Sequence, residues 1–507
     1  MYTYNEYRPE YTVYTNFVAS RACYRTITIK FEVLSLPKRR YALAISVSAV
    51  LTLFVCSGFL LYQPLMVASG FTSHQICSET FVSGLKPDQV YADMVEPTGA
   101  IRFISSLVHY DVDFEKREVT TTVGGLYKTK AVYGEGMGCL LAHGPEDVQL
   151  AANANLKVGP SASLAPEIAE SGVVEPGSEQ LRAALDRAFA EREQAPYIRT
   201  QAIVVVKDGK IAAERYAPGI GADTPLLGFS ATKSVTNALI GILVRQGKLN
   251  VSESAPIAAW QNVSDPRHAI TIDDLLRQTS GLALEQTSSG FDPASRMIYL
   301  ERDMSGFAEG AKLVTAPGSR WAYTDGNYIL LSRIIRDAVG GRASDVRGFA
   351  QRELFGPIGM KHVTLEFDAT GTPNGANSMF ASARDWARFG LLYLNDGMAG
   401  ADRILPKGWV EYSSSQTLDT GYGAGFWINL AASGNAPYGL PWGMPHVPQD
   451  AFFAMGNMGQ HIVIVPSEHL VVVRLGVSHH PDGLIAGADR LVADVIAALR
   501  HVEVGPR

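Results

Sequence analysis

The chain has 507 residues, 47% hydrophobic and 19% charged, with a formal charge of -6. The length points to two or three domains and the composition to ordinary globular protein. The acidic balance offers no basic surface for nucleic acid. Cys23, Cys56, Cys77 and Cys139 make no C-x-x-C pair, and H-E-x-x-H is absent among the eleven histidines. No zinc knuckle or metalloprotease helix is therefore written here, and neither a metal nor another cofactor is expected. His479-His480 reads as a surface or strand-end pair.

Residues 1–40 read as a cytoplasmic or disordered tail. The first 35, rich in Tyr and Thr and without a period, could also lie upstream of the true start. Tyr41 to Tyr62 contain no charged side chain. That is enough to cross a hydrocarbon core about 30 Å thick. Lys38, Arg39 and Arg40 precede the run, and Lys86 is the only Lys or Arg in the 30 residues after it. The positive-inside rule places the amino terminus in the cytoplasm and the rest outside. The expectation is a transmembrane helix over 41–62, in a bacterial-type inner membrane with a periplasmic catalytic part. A cleaved signal, ending near Val67-Ala68-Ser69-Gly70, or a buried core helix would also suit the run. Export would put Cys77 and Cys139 where they can form a disulfide or remain buried thiols.

Residues 71–145 read as a small accessory region, with strands at Glu118–Val123 and at Leu126-Tyr127. Residues 146–195, with Pro160, Pro166, Pro176 and Gly177, read as a linker wrapped over a main domain of 196–507. That domain opens with strands Gln201–Val206 and Ile211–Tyr216 around an Asp208-Gly209 hairpin turn. Three more strands are predicted at Ala451–Met455, His461–Val465 and Leu470–Leu475. Helical periods fall at Val235–Gln246, Tyr328–Ala338 and Asp489–Arg500. Segregated strands and helices imply an α+β fold with an antiparallel sheet.

S-x-x-K occurs at Ser35–Lys38, Ser83–Lys86 and Ser230–Lys233. Only the last opens a long amphipathic helix. There Lys233 can reach the Ser230 hydroxyl from the same face, and free N–H groups at the helix start can stabilise an oxyanion. Serine needs a base to become nucleophilic, and lysine serves only with a depressed pKa. A capping serine with a solvated lysine is the bland alternative. Tyr323, at the start of another apolar helix, can share a proton with such a pair or be a core tyrosine. Thr271–Leu282 reads as a helix ending with a C-cap at Gly281. The glycines of Ala454–Gln460 permit close approach to a ligand or simply form a hairpin. The long Ala283–Gly306 loop covers the cleft or is a surface excursion.

In this order the stretches resemble the serine β-lactamase and penicillin-binding-protein superfamily. The likeness is nearest to class C-like hydrolases, including esterases and 6-aminohexanoate-dimer hydrolases. It spans roughly 196–500. It rests on Ser230-x-x-Lys233, Leu-Leu-x-x-Thr279-Ser280-Gly281-Leu282, Tyr323-x-Asp325, Phe380–Leu392 and Tyr422–Trp427. The resemblance implies acylation of Ser230, Lys233 as base, Tyr323 as proton relay, and an oxyanion hole from the N–H groups of Ser230 and Asn457. Asp325, where β-lactamases carry Asn, and Gly456 are candidate substrate contacts. Ala454-Met455-Gly456 lacks the Lys or His of the family's Lys-Thr-Gly or His-Thr-Gly, so an ester or amide without an obligatory anion is the expected substrate. The alternatives are a non-turnover membrane-anchored receptor and a cell-wall peptidase of the same fold.

Overall fold

The computed structural model describes residues 61–503 except 157–158, 160–161, 169–171 and 431–442. The expectations for residues 1–40, most of the 41–62 run and the Ser35–Lys38 pair lie outside these. Among the described residues no helix is long and apolar enough to cross a membrane.

Helix α1 covers residues 61–81 and includes Leu61 and Tyr62, the end of the uncharged run. It packs on a four-stranded antiparallel sheet, β1 (Val108–Asp113), β2 (Glu118–Val123), β3 (Tyr127–Gly134) and β4 (Gly138–Leu141), in that order. Along β2 the buried residues alternate as Val119, Thr121 and Val123, the period-two signature of a half-buried strand. Cys77 of α1 and Cys139 of β4 form a disulfide with Cα atoms 6.1 Å apart.

The predicted first and last strands meet in one six-stranded antiparallel sheet. Its order is β7 (Trp427–Ile428), β8 (Phe452–Gly456), β9 (Gln460–Val465), β10 (Leu470–Gly476), β5 (Thr200–Lys207) and β6 (Lys210–Tyr216). The β5–β6 turn has positive φ at both Asp208 and Gly209, as a tight hairpin requires. In β5, Ala202, Val204 and Val206 enter one core, which also holds Trp386 and Phe389, while Ile203 and Val205 enter the other. Both faces are covered, which is why this strand reads as a continuous apolar run.

Helices α2 (Glu179–Phe189) and α5 (Ile485–Glu503) cover the second face, with Leu181, Leu185, Leu491 and Val495 in its core. Helix α2 falls within the expected 146–195 wrap, and its apolar stripe is buried in that core. Upstream, Ile211 N–H donates to the Ile168 carbonyl (2.8 Å) and Glu214 N–H to the Val174 carbonyl (2.9 Å), so that segment runs along edge strand β6. Such cover blunts an exposed sheet edge.

The accessory region and main domain form one compact unit. Their junction holds a buried polar cluster. Glu366 Oε1 accepts from Ser78 Oγ and from Cys139 N–H, both at 2.8 Å, and His74 Nε2 lies 3.3 Å from Glu366 Oε2. Burial pushes the Glu366 carboxyl up to about 8 and that of Glu79 up to about 7, and holds His74 down at about 4. A carboxyl raised by folding binds its proton more tightly in the native state. Its contribution is complete below the ordinary value of 4.5 and is lost as pH rises toward 8.

Two outcomes follow from this junction. Thermal stability should fall between about pH 6.5, above which the lowered His74 no longer adds stability, and pH 8, where Glu366 still titrates, and Glu366→Gln should shrink that fall in melting curves taken across the same range. Cys77→Ser opens a 62-residue loop, and denaturant unfolding should show a loss of about 3 kcal/mol.

Candidate active site

Ser230 lies in a 3₁₀ turn, Phe229–Ala231, that runs into helix α3 (Thr232–Arg245). Thr232 to Leu243 are all buried. The helix is therefore central, not amphipathic as its sequence suggested, because sheet and loops enclose its polar side as well. One turn after the serine, Lys233 is only 1% exposed. Its Nζ donates to Ser230 Oγ (3.1 Å) and to the Ala376 carbonyl (3.0 Å), and it pairs with Asp325. The amine also sits 4.7 Å from the ring centre of Tyr323 and 5.7 Å from that of Tyr328.

Asp325 opens helix α4 (Asp325–Val339), with Thr324 as its N-cap. Its Oδ2 accepts from Gln286 Nε2 (3.1 Å) and Asn377 Nδ2 (2.8 Å), and its N–H donates to Gln286 Oε1 (2.6 Å). The helix amino terminus adds positive potential. Asp325, the candidate substrate contact, is buried, with both carboxylate oxygens engaged by Lys233, Gln286 and Asn377. Burial pulls the Lys233 pKa down, Asp325 and Tyr323 push it up by charge and hydrogen bonding, and the net shift is upward. That direction favours the ammonium form in the resting site.

The sequence stretches converge on this pair. The helix predicted to end at Gly281 stops at Leu276. The chain turns there so that Gln278 can bind both Thr324 and Asn327: Nε2 donates to the Thr324 carbonyl (2.9 Å), and Oε1 accepts from Thr324 N–H (3.2 Å) and Asn327 Nδ2 (2.7 Å). Ser280 Oγ donates to Asn327 Oδ1 (2.7 Å). These bonds fix the turn beside Tyr323. The Tyr323 ring lies in a cluster with Trp321, Tyr422 and Trp427, with centroids 5.6–6.2 Å apart. The Tyr422–Trp427 stretch also binds α3, through Ser234 Oγ to the Gly425 carbonyl (2.6 Å) and Asn237 Nδ2 to the Ala424 carbonyl (2.7 Å).

A Cβ at Gly456 would stand 2.1 Å from the Gly228 carbonyl oxygen. The glycine, the other candidate substrate contact, thus permits close packing between β8 and the Ser230 turn. That contact brings Asn457, the next residue, beside the turn of Ser230. Phe229 and Met458 both have positive φ (44° and 58°) despite carrying side chains, a conformation that persists only where packing over-determines it. Both side chains pack into the accessory core with Ile76, Cys77 and Met94. The Ala283–Gly306 stretch lies between site and α1: Gln286 reaches Asp325, and Tyr299 meets Phe71 edge-on at 5.6 Å. Ser83 and Lys86 stand apart, with Ser83 Oγ donating to Glu79 (3.0 Å).

Sequence reasoning missed Gln286, Asn377 and Arg474. Arg474 Nη1 donates to the Gly459 carbonyl (2.7 Å) and Nη2 to the Ile198 carbonyl (3.0 Å), bracing the Asn457–Gly459 turn. Burial lowers its pKa to about 9. A lone arginine in Leu-Val-Val-Val-Arg-Leu-Gly was its available signal; Gln286 and Asn377 stand in no pattern.

Residues 185–497 match the Beta-lactamase family. The chain belongs to that family. Among curated relatives it is 24% identical over 330 residues to the 6-aminohexanoate-dimer hydrolase of Paenarthrobacter ureafaciens, covering 60% of this chain and 79% of that one. An uncharacterised protein of Alkalihalophilus pseudofirmus is 22% identical over 307 residues, covering 54% and 82%. Among solved structures, a Bacillus anthracis protein provisionally assigned as a 6-aminohexanoate-dimer hydrolase shares the fold with a TM-score of 0.51 and 21% identity. That match covers 69% of this chain and 89% of the other. As a member of the beta-lactamase family with hydrolase relatives, the chain is an enzyme of the serine-hydrolase type.

Asp325→Asn tests the central pair. It should cost about 3 kcal/mol of stability, because a buried charge loses its partner. Burial then acts on Lys233 with only Tyr323 opposing it, so the alkaline limb of the pH–rate profile should move to lower pH.

Proposed function

We propose that the chain hydrolyses a small-molecule ester or amide through an acyl-enzyme on Ser230. The observation that carries this reading is the buried Lys233 ammonium, 3.1 Å from Ser230 Oγ and held by Asp325. In acylation, Ser230 Oγ bonds to the substrate carbonyl carbon. Its proton passes to the Tyr323 oxygen as the Tyr323 proton passes to the leaving oxygen or nitrogen, whose bond to the carbonyl carbon breaks. Lys233 stays charged and Tyr323 neutral before and after the relay, the cation stabilising the phenolic oxygen while it exchanges protons. The carbonyl oxygen is received by the N–H groups of Ser230 and Asn457. Water then reverses the relay to release the acid.

The substrate in this reading carries no obligatory anion. Strand β8, Phe-Phe-Ala-Met-Gly, has no basic residue. Met455, Tyr323 and Trp321 all pack against the same apolar core, which holds Tyr422 and Trp427. The relative named for the 6-aminohexanoate dimer agrees with a small-molecule substrate.

The same reading holds the enzyme at a bacterial-type inner membrane by residues 41–62, with the catalytic part exported. The uncharged run behind Lys38-Arg39-Arg40 supports this, as does the Cys77–Cys139 bond, which suits an oxidising compartment.

A fluorophosphonate probe should label the protein, and p-nitrophenyl esters should turn over. Ser230→Ala should abolish both, and Lys233→Ala should lower turnover by a factor of about 10³ or more, within the range of lost electrostatic stabilisation. Equal behaviour of all three proteins, or a cephalosporin far outpacing every short-chain ester, would overturn the reading.

A further inference from the structure

The accessory sheet has two ends, and only one gathers exposed apolar side chains next to the uncharged run. At that end α1 begins its described course with Leu61 (46% exposed) and Tyr62 (57%). The Tyr62 ring lies 5.9 Å from that of Tyr127, edge-on. Leu126, in the turn between β2 and β3, is 81% exposed. Gly124 of that turn donates to the Leu107 carbonyl (2.8 Å), and Leu107 is 49% exposed. Phe103, on the short helix leading to Leu107, is 76% exposed, and Arg102 lies over its ring at 4.5 Å. Isolated exposed hydrophobics need no explanation, but a contiguous group marks an interaction surface.

The segments that form the group are basic. Residues 101–110 and 121–130 carry Arg102, Lys128 and Lys130 and no Asp or Glu other than Asp111-side neighbours outside these ranges, Lys130 being paired with Glu118 farther along the sheet (2.7 Å). Apolar tips inside a basic rim are what a side chain layer at a lipid headgroup boundary presents. Continuity points to the same occupant, since the last two residues of the uncharged 41–62 run are themselves members of the group.

We infer that this end of the accessory region, formed by Leu61, Tyr62, Phe103, Leu107, Leu126 and Tyr127, rests in the headgroup layer of the membrane that residues 41–62 enter. The inference rests on the tether reading above. It assigns the accessory region a role as a foot. The four strands and α1 seat one end on lipid, and α1 (about 30 Å long at 1.5 Å per residue) reaches to the Phe81 and Phe114 end. Phe114 is 63% exposed there and lies 5.9 Å from Phe81. It is an exposed aromatic of the same region at the opposite end, and so an internal control.

The full chain, reconstituted into phosphatidylcholine–phosphatidylglycerol vesicles, would carry a benzophenone amino acid at position 103, 126 or 114. Flotation of the vesicles tests the tether, and irradiation tests the foot. The expected result is co-flotation of all three proteins, with lipid adducts at 103 and 126 and none at 114. Co-flotation with no lipid adduct at 103 and 126, or with equal adducts at 114, would overturn the foot while leaving the tether standing. Adducts at 103 or 126 to a second copy, or to residues 1–60 of the same chain, would assign the surface to protein instead. Failure to float would overturn both.

Discussion

A lysine and an aspartate buried together at the foot of the nucleophile turn impose the main constraint on this molecule. Ionised groups removed from water lose several kcal/mol each unless they are paired and their remaining hydrogen-bonding positions filled. Lys233 fills its own with Asp325, Ser230 and the Ala376 carbonyl, and Asp325 fills its second oxygen with Gln286 and Asn377. The partners come from four separate segments, so satisfying one ion pair brings those segments to one place. The serine receives a hydrogen bond from the resulting cation as a by-product of that requirement.

The accessory region extends the same logic to the backbone. Phe229 precedes Ser230 and Met458 follows Asn457, and both hold a conformation that a side chain resists. Their side chains are packed into the accessory core, so the energy that keeps these turns in place comes partly from α1 and its sheet. Arg474 contributes from the other side by binding the Gly459 carbonyl. The region is joined to the main domain by a disulfide-stapled helix and by Glu366, a carboxyl that burial keeps protonated well above its ordinary range. A pH-sensitive junction therefore stands close behind the residues that would receive an oxyanion.

Much of the architecture was legible because its signals are local. Five of the six strands of the large sheet are legible within a residue or two, since runs such as Gln201–Val206 are β-branched and apolar; the two-residue β7 (Trp427–Ile428) is too short to leave a period. The Asp208-Gly209 turn and the main helices were likewise readable. The α3 face was not. Thr232, Ser234, Thr236 and Asn237 look like a solvent side in sequence, and only the Gly375 and Gly425 carbonyls that receive their hydroxyls explain their burial. The end of the helix at Leu276 was misread for a similar reason: Gly281 is a plausible stop, but the bonds from Gln278 to Thr324 and Asn327 decide the turn earlier.

The sequence by itself determined the antiparallel α+β scaffold, the Ser230–Lys233 spacing on one helical turn and the lack of a cation in strand β8. Each follows from residue type and short-range geometry. Only the tertiary structure decided the direction of the Lys233 shift, because burial pulls it down while a carboxylate 92 residues away and the Tyr323 oxygen together push it up. It also decided which groups hold Asp325, that Gly456 lies against the Gly228 carbonyl, and that the accessory core packs behind the Ser230 turn. Such roles depend on which distant groups share a low-dielectric space, and spacing along a chain does not carry that information.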